Sequence, residues 1–135
     1  MADGALDYNP AVEIRQLLPV DVLLRALTKK KWLKDLHDAF LLRTGETGLS
    51  VCFDCLPEEC ITIIPFKCLH GVASLNVGGV SALHLTVTPD TPHHAVIEGI
   101  PNKEVEPVRA ELLASQLAAI ATIVDRTRRE RAVEP

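Results

Sequence analysis

The chain has 135 residues, 47% of them apolar and 24% charged, with a formal charge of −4. That length suits one domain, and that balance excludes intrinsic disorder for the bulk of the chain. No apolar run approaches the ~20 residues of a membrane helix, the opening MADGALDYNP lacks the basic and apolar regions of a signal peptide, and fourteen Lys and Arg against eighteen Asp and Glu argue against a nucleic-acid partner.

In chain order, residues 1–10 are expected to form a flexible tail, 11–127 a single α+β domain and 128–135 a frayed C-terminal tail. Partial alternation over 12–17 suggests an opening strand that Pro19 breaks. Asp21 suits an N-cap, so Val22-Leu23-Leu24-Arg25-Ala26-Leu27 predicts a short helix, ended by Lys29, Lys30 and Lys31 with the charge sign a helix C-terminus favours. Residues 32–39 carry no decisive pattern. Residues 40–43, Thr44-Gly45-Glu46-Thr47-Gly48 and residues 49–53 read as strand, turn and strand. Pro57-Glu58-Glu59 resembles a first helical turn, and Pro65 keeps that helix short. Residues 70–75 predict a strand, 76–79 a turn or a close backbone approach, and 83–88 a strand with Leu83, Leu85 and Val87 on one face. A loop at 89–92 and a strand over 93–100 follow. Pro107 then opens a helix expected over 108–126, about 28 Å long, with Leu113, Leu117, Ile120 and Val124 in one stripe. Short turns within 40–53 and 83–100 require antiparallel neighbours. The expected fold is therefore α+β: a mostly antiparallel sheet of five or six strands with the C-terminal helix packed on one face.

Cys52, Cys55, Cys60 and Cys68 supply the raw material for a zinc site. Against it, Cys52-Phe53-Asp54-Cys55 overlaps a predicted strand, where residues three apart face opposite ways, and no glycine is present to turn the chain back. Without an export signal the thiols are expected reduced and buried, with no metal and no cofactor. The basic clusters around Lys30 and Arg128 read as solvated surface. Among the histidines, a hairpin of 83–88 with 93–98 sets Thr88 opposite His93 and His84 opposite Ile97. His84 and His93 then share a face but lie roughly 13 Å apart, too far for one ion. His84-Leu85-Thr86-Val87 matches the His-x-Thr-x element of two-histidine phosphoesterases, yet no second copy stands at domain spacing. The loop from Pro89 to His94 is stiffened by Pro89 and Pro92 and concentrates Asp90, His93 and His94, with Asp90 placed to orient either imidazole.

The strings Phe40-Leu41-Leu42-Arg43-Thr44-Gly45-Glu46-Thr47-Gly48-Leu49-Ser50-Val51 and Thr88-Pro89-Asp90-Thr91-Pro92-His93-His94-Ala95-Val96-Ile97-Glu98-Gly99-Ile100-Pro101 resemble two recurring elements of a group of small uncharacterised bacterial proteins, many of them cyanobacterial. Residues 21–31 also fit, so the resemblance spans 12–125. It includes Arg43, Asp90 and His94 and favours them as a site; it leaves the cysteines out and implies no activity.

No catalytic constellation is complete. The leading expectation is a non-enzymatic binding or interaction module, a cytoplasmic accessory protein or oligomer subunit, with a protein partner or a second copy engaging open sheet edges and with no membrane involvement. The second is a hydrolase or transferase acting on a phosphate-bearing small molecule or nucleotide. Its site would be formed by His84, Thr86 and His93, with Asp90, His94 and Arg43 contributing. That reading requires Arg43 to share one concave pocket with Asp90 and His93 or His94.

Overall fold

The computed structural model describes residues 14–64 and 66–131; the tail expected at 1–10, Val12 and Glu13 of the expected opening strand, Pro65 and residues 132–135 lie outside the described residues. The segment expected to be a short helix is instead the strand Val22–Leu27 (β1), at the centre of the sheet. Every residue from Leu23 to Leu27 is buried. A strand covered on both faces has no polar face to alternate with, and a short apolar run of that kind is indistinguishable from a helix by periodicity.

The remaining elements are Gly48–Cys52 (β2), Cys60–Ile63 (α1, entered through a 3₁₀ turn at Pro57–Glu59), Cys68–Leu69 (β3), Gly71–Asn76 (β4) and Val77–Ser81 (α2). Thr86–Thr91 (β5), His94–Glu98 (β6), Pro107–Ile120 (α3), Thr122–Asp125 (β7) and Arg129–Glu130 (β8) complete the chain. Six strands form an antiparallel sheet in the order β5-β6-β2-β1-β4-β7, with β3 and β8 paired separately. The fold is thus α+β, and of the two turns that pointed to antiparallel neighbours the one within 83–100 joins them. Among the described residues no helix is long and apolar enough to cross a membrane.

Several segments differ from expectation. Residues 14–18 form no strand, and 40–43 are the end of a 3₁₀ turn, Leu36–Phe40, and the coil after it. Helix α3 stops at Ile120, where Thr122, Ile123 and Val124 bring a β-branched run that pairs with β4 as β7. Residues 129–131, expected to fray, are held: β8 pairs with β3, and Arg131 donates to the Ile61, Ile64 and Phe66 carbonyls. Gly79 is a close approach, since a Cβ there would lie 2.9 Å from Ile120 Cδ1.

The sheet separates two cores. On one face Leu23, Leu27, Leu49, Val51, Leu75 and Ile97 pack against Phe40, Leu113 and Leu117. His37 ties the 3₁₀ turn to α3, with Nδ1 2.9 Å from Asp35 and Nε2 2.6 Å from Glu111, and these two carboxylates, Asp35 first, raise its pKa. On the other face Leu24, Ala26, Cys52, Cys60, Ile64, Leu69 and Val72 form a smaller core. Arg25 is the one buried charged residue among those described. Strands β1 and β2 register through a single pair, Leu24↔Cys52. Beyond it the Arg25 guanidinium bridges the gap, donating to Ser50 O (3.0 Å) and to Ala39 O (2.9 Å).

Candidate functional site

The turn after β1, Lys30–Leu33, is a 3₁₀ helix that buries Trp32 and turns Lys29 and Lys31 outward beside it. Leu41, Leu42, Arg43 and Thr44 pass the other side of Trp32, and Lys103 closes a cavity of about 290 Å³. Four cations face one carboxylate there, Asp38. The guanidinium of Arg43 stands 5.2 Å from the Trp32 ring centroid, Lys29 Nζ 5.8 Å and Arg25 5.7 Å, so three cations crowd one indole. Among the described residues none of Lys29, Lys31, Arg43 and Lys103 forms an ion pair. Burial pushes the Arg25 pKa down to about 10, which leaves it charged at neutral pH. Its two hydrogen bonds go to backbone carbonyls, and the Glu46 carboxylate is the nearby anion that favours its charge. This site was half legible: Arg43 was singled out, whereas the lysine–tryptophan run read as solvated surface and Lys103 carried no signal.

The other expected site residues do not gather around Arg43. His94 and Asp90 do meet, Nδ1 donating to Oδ1 at 2.6 Å, as the stiff loop suggested. They lie where β6 faces Cys52 of β2. Arg43 precedes the opposite end of β2, where Gly48 pairs with Glu98, and reaches toward Thr28 beyond the end of β1. Four residues of strand separate those ends, roughly 13 Å. The hairpin register also differs: Thr88 pairs with Val96, and Thr86 with Glu98, the ladder shifting between Pro89 and Thr91. His84 is outside β5, in left-handed backbone (φ 63°), and its carbonyl lies near Gly99 at the far end of the hairpin from His93. Thr86 is exposed on the edge strand. Among the described residues, Asp90, His93 and His94 therefore stand at the other end of the hairpin and of β2 from Arg43, Thr86 and His84.

The cysteines show a different pattern from the one expected. Asp54 adopts a left-handed conformation (φ 55°) and makes the return turn that no glycine was available to make. Asp tolerates that region because its short polar side chain bonds locally. Arg15 secures the side chain through two hydrogen bonds, 2.7 and 2.9 Å, while its other edge holds Asp21 at 2.8 and 2.9 Å. The turn carries Cys55 back toward Cys52, and the start of α1 delivers Cys60, so the three sulfurs lie within 4.8 Å of one another. The Cys52 thiol, then that of Cys60, favours the thiolate at Cys55, whose pKa falls while those of Cys52 and Cys60 rise. Cys68 stands apart, its sulfur 3.6 Å from His70 Nε2. His93 and Cys55 line one side cavity of about 250 Å³, with Asp54 and Glu59.

No family model matches the chain, and no curated protein and no solved structure shows significant similarity to it.

Proposed function

We propose that the chain is a non-enzymatic binding module whose pocket beside Trp32 takes a small anion bearing phosphate or several carboxylates. The observation that carries this reading is the excess of cations: Lys29, Lys31, Arg43 and Lys103 around one indole, with Arg25 buried behind it, against the carboxylates of Asp38 and Glu46. Gathering like charges on a concave wall costs free energy unless an anion relieves it, and low-dielectric walls strengthen the attraction. Arg43 brings a planar fork suited to phosphate or carboxylate oxygens, and Thr44 a hydroxyl. Turnover of a phosphate ester needs a proton donor or acceptor beside the anion. Among the described residues the pocket wall holds no histidine; Asp38, 3.5 Å from His37 Nδ1, is its one carboxylate, and the lysines are its other acid–base groups. This favours a role in binding over the hydrolase or transferase reading. The four free cysteines suit the reducing cytoplasm, where such a module would serve as an accessory protein.

Trp32 is the single tryptophan of the chain, so its emission reports the pocket directly. Titration with pyrophosphate, citrate and ATP is expected to change that emission saturably, to raise the melting temperature and to weaken with added salt. Arg43→Ala should reduce affinity at least tenfold. Unchanged emission and melting temperature with all three anions at millimolar concentration would remove the reading.

A further inference from the structure

We infer that Cys52, Cys55 and Cys60 hold one zinc ion, with His93 as the fourth ligand. In a tetrahedral zinc site with Zn–S near 2.3 Å, sulfurs stand about 3.8 Å apart. The three sulfurs here already fall within 4.8 Å of one another, so sub-ångström adjustments bring the three thiolates to one ion. The supporting backbone is specific to that convergence. Buried thiols alone need no left-handed residue between them, yet Asp54 occupies that conformation and Arg15 grips both its carboxylate oxygens. On the Cys60 side, Glu59 accepts the Leu56 amide at 2.7 Å and fixes the loop that leads into α1.

His93 stands outside the 4.8 Å group of the three sulfurs and must move in to complete the site, but its ring is already held as a ligand's would be. The Phe53 amide donates to the His93 carbonyl at 3.1 Å, and His93 Nδ1 lies 3.3 Å from the Phe53 carbonyl. A carbonyl only accepts, so Nδ1 carries the proton and a neutral ring keeps its lone pair on Nε2. Metal-bound histidines are commonly held this way, one ring nitrogen donating to a backbone oxygen and the other facing the ion. His93 and Cys55 border the same cavity. Three thiolates and an imidazole make a closed, structural site. The ion would pin the 53–60 segment over the smaller core, to which Cys52 and Cys60 belong. Cys68 lies outside the site.

The test uses the whole chain, purified under reducing conditions without a metal-binding tag. Elemental analysis is expected to find one zinc per chain. Replacement by Co²⁺ should give the strong visible absorption of a tetrahedral ion and near-ultraviolet thiolate charge transfer. Cys55→Ser should weaken zinc binding at least tenfold. His93→Gln should retain cobalt but lower its visible intensity, and Cys68→Ser should change neither. These spectra of the unaltered chain do not depend on any variant folding. Reduced protein that takes up neither Zn²⁺ nor Co²⁺ would overturn the inference. So would loss of zinc in Cys68→Ser, or a native metal-free form with Cys52 and Cys55 joined as a disulfide. An unchanged cobalt spectrum in His93→Gln would overturn the assignment of the fourth ligand.

Discussion

Replacing Arg25 tests whether its guanidinium holds the seam between β1 and β2. Its Nε and Nη1 donate to the Ala39 and Ser50 carbonyls at 2.9 and 3.0 Å. A charged hydrogen bond contributes about 1.5–3 kcal/mol net, and an orphaned buried carbonyl costs about as much. Arg25→Ala also strips two buried methylenes, at ~0.8 kcal/mol each, and the cation above Trp32, worth ~0.5–1 kcal/mol. Against these losses stands the relief of a buried charge. The fall of its pKa from the ordinary arginine value to about 10 corresponds to roughly 3 kcal/mol at 1.36 kcal/mol per unit. The net expectation is a destabilisation of ~2–6 kcal/mol, a fall in Tm of roughly 10 °C or more for a domain of this size. Arg25→Met keeps the stem and sheds the charge, so it should cost only ~0–2 kcal/mol. Guanidinium unfolding followed by Trp32 emission reads both variants on one probe. If Arg25→Ala costs less than ~1 kcal/mol, or if Arg25→Met is the worse of the two, the guanidinium does not hold the seam.

The carboxylates of Asp35 and Glu111 favour the protonated His37 imidazole, so its pKa is higher folded than unfolded. Its contribution is fully present below the ordinary value of 6.5 and lost as pH rises through the folded value. Because the pair is largely solvent-screened, the effect should stay within ~1 kcal/mol; chemical denaturation between pH 5.5 and 9 should show the decline, and His37→Gln should flatten it. Gly71→Ala would place a Cβ 2.6 Å from the Asp125 carbonyl and 2.9 Å from Leu33 Cδ2, so a loss of ~1–3 kcal/mol is expected in thermal unfolding. The double variant Asp90→Ala with His94→Ala removes an exposed 2.6 Å pair and should lower stability by about 1 kcal/mol. Anion titration of that double variant should match the unaltered chain, since the pair lies at the far end of β2 from Arg43.

How legible these features were depended on whether local chemistry or distant packing decided them. Pro57 at the start of a helical turn, the strand at 71–76 and Pro107 opening α3 all carry their signals within a few residues. The Asp90–His94 contact also follows from a short loop stiffened by two prolines. β1 was misread because both its faces are covered, by residues up to a hundred positions away in sequence. Residues 122–125 were absorbed into the helix because Val124 continued its stripe, although β4 was the partner that mattered. The hairpin register escaped because a bulge near Pro89 is invisible to residue counting. The cysteine turn has no glycine to announce it, and Asp54 supplies the left-handed step with Arg15 holding it. The basic pocket needs Lys103, whose approach to Trp32 is set by the packing of the chain and by no local pattern.

The central position of β1 bears on how the protein reaches its fold. The strand nearest the start of the described chain has its partners far downstream: Leu24 pairs with Cys52 on one side and with Ser74, about fifty residues on, at the other. The β5–β6 hairpin turns through Pro92 and His93 alone and is free to zip within microseconds of its synthesis. The middle of the sheet must instead await closure of a long loop, whose entropy is lost before any of its contacts form. During translation, β1 therefore leaves the ribosome with both hydrogen-bonding margins bare; β2 meets it at a single pair, β4 takes the other margin only later, and α3, which covers Leu23 and Leu27, is made after both. That interval, and not the finished sheet, is when this chain is most exposed to aggregation and most dependent on chaperones.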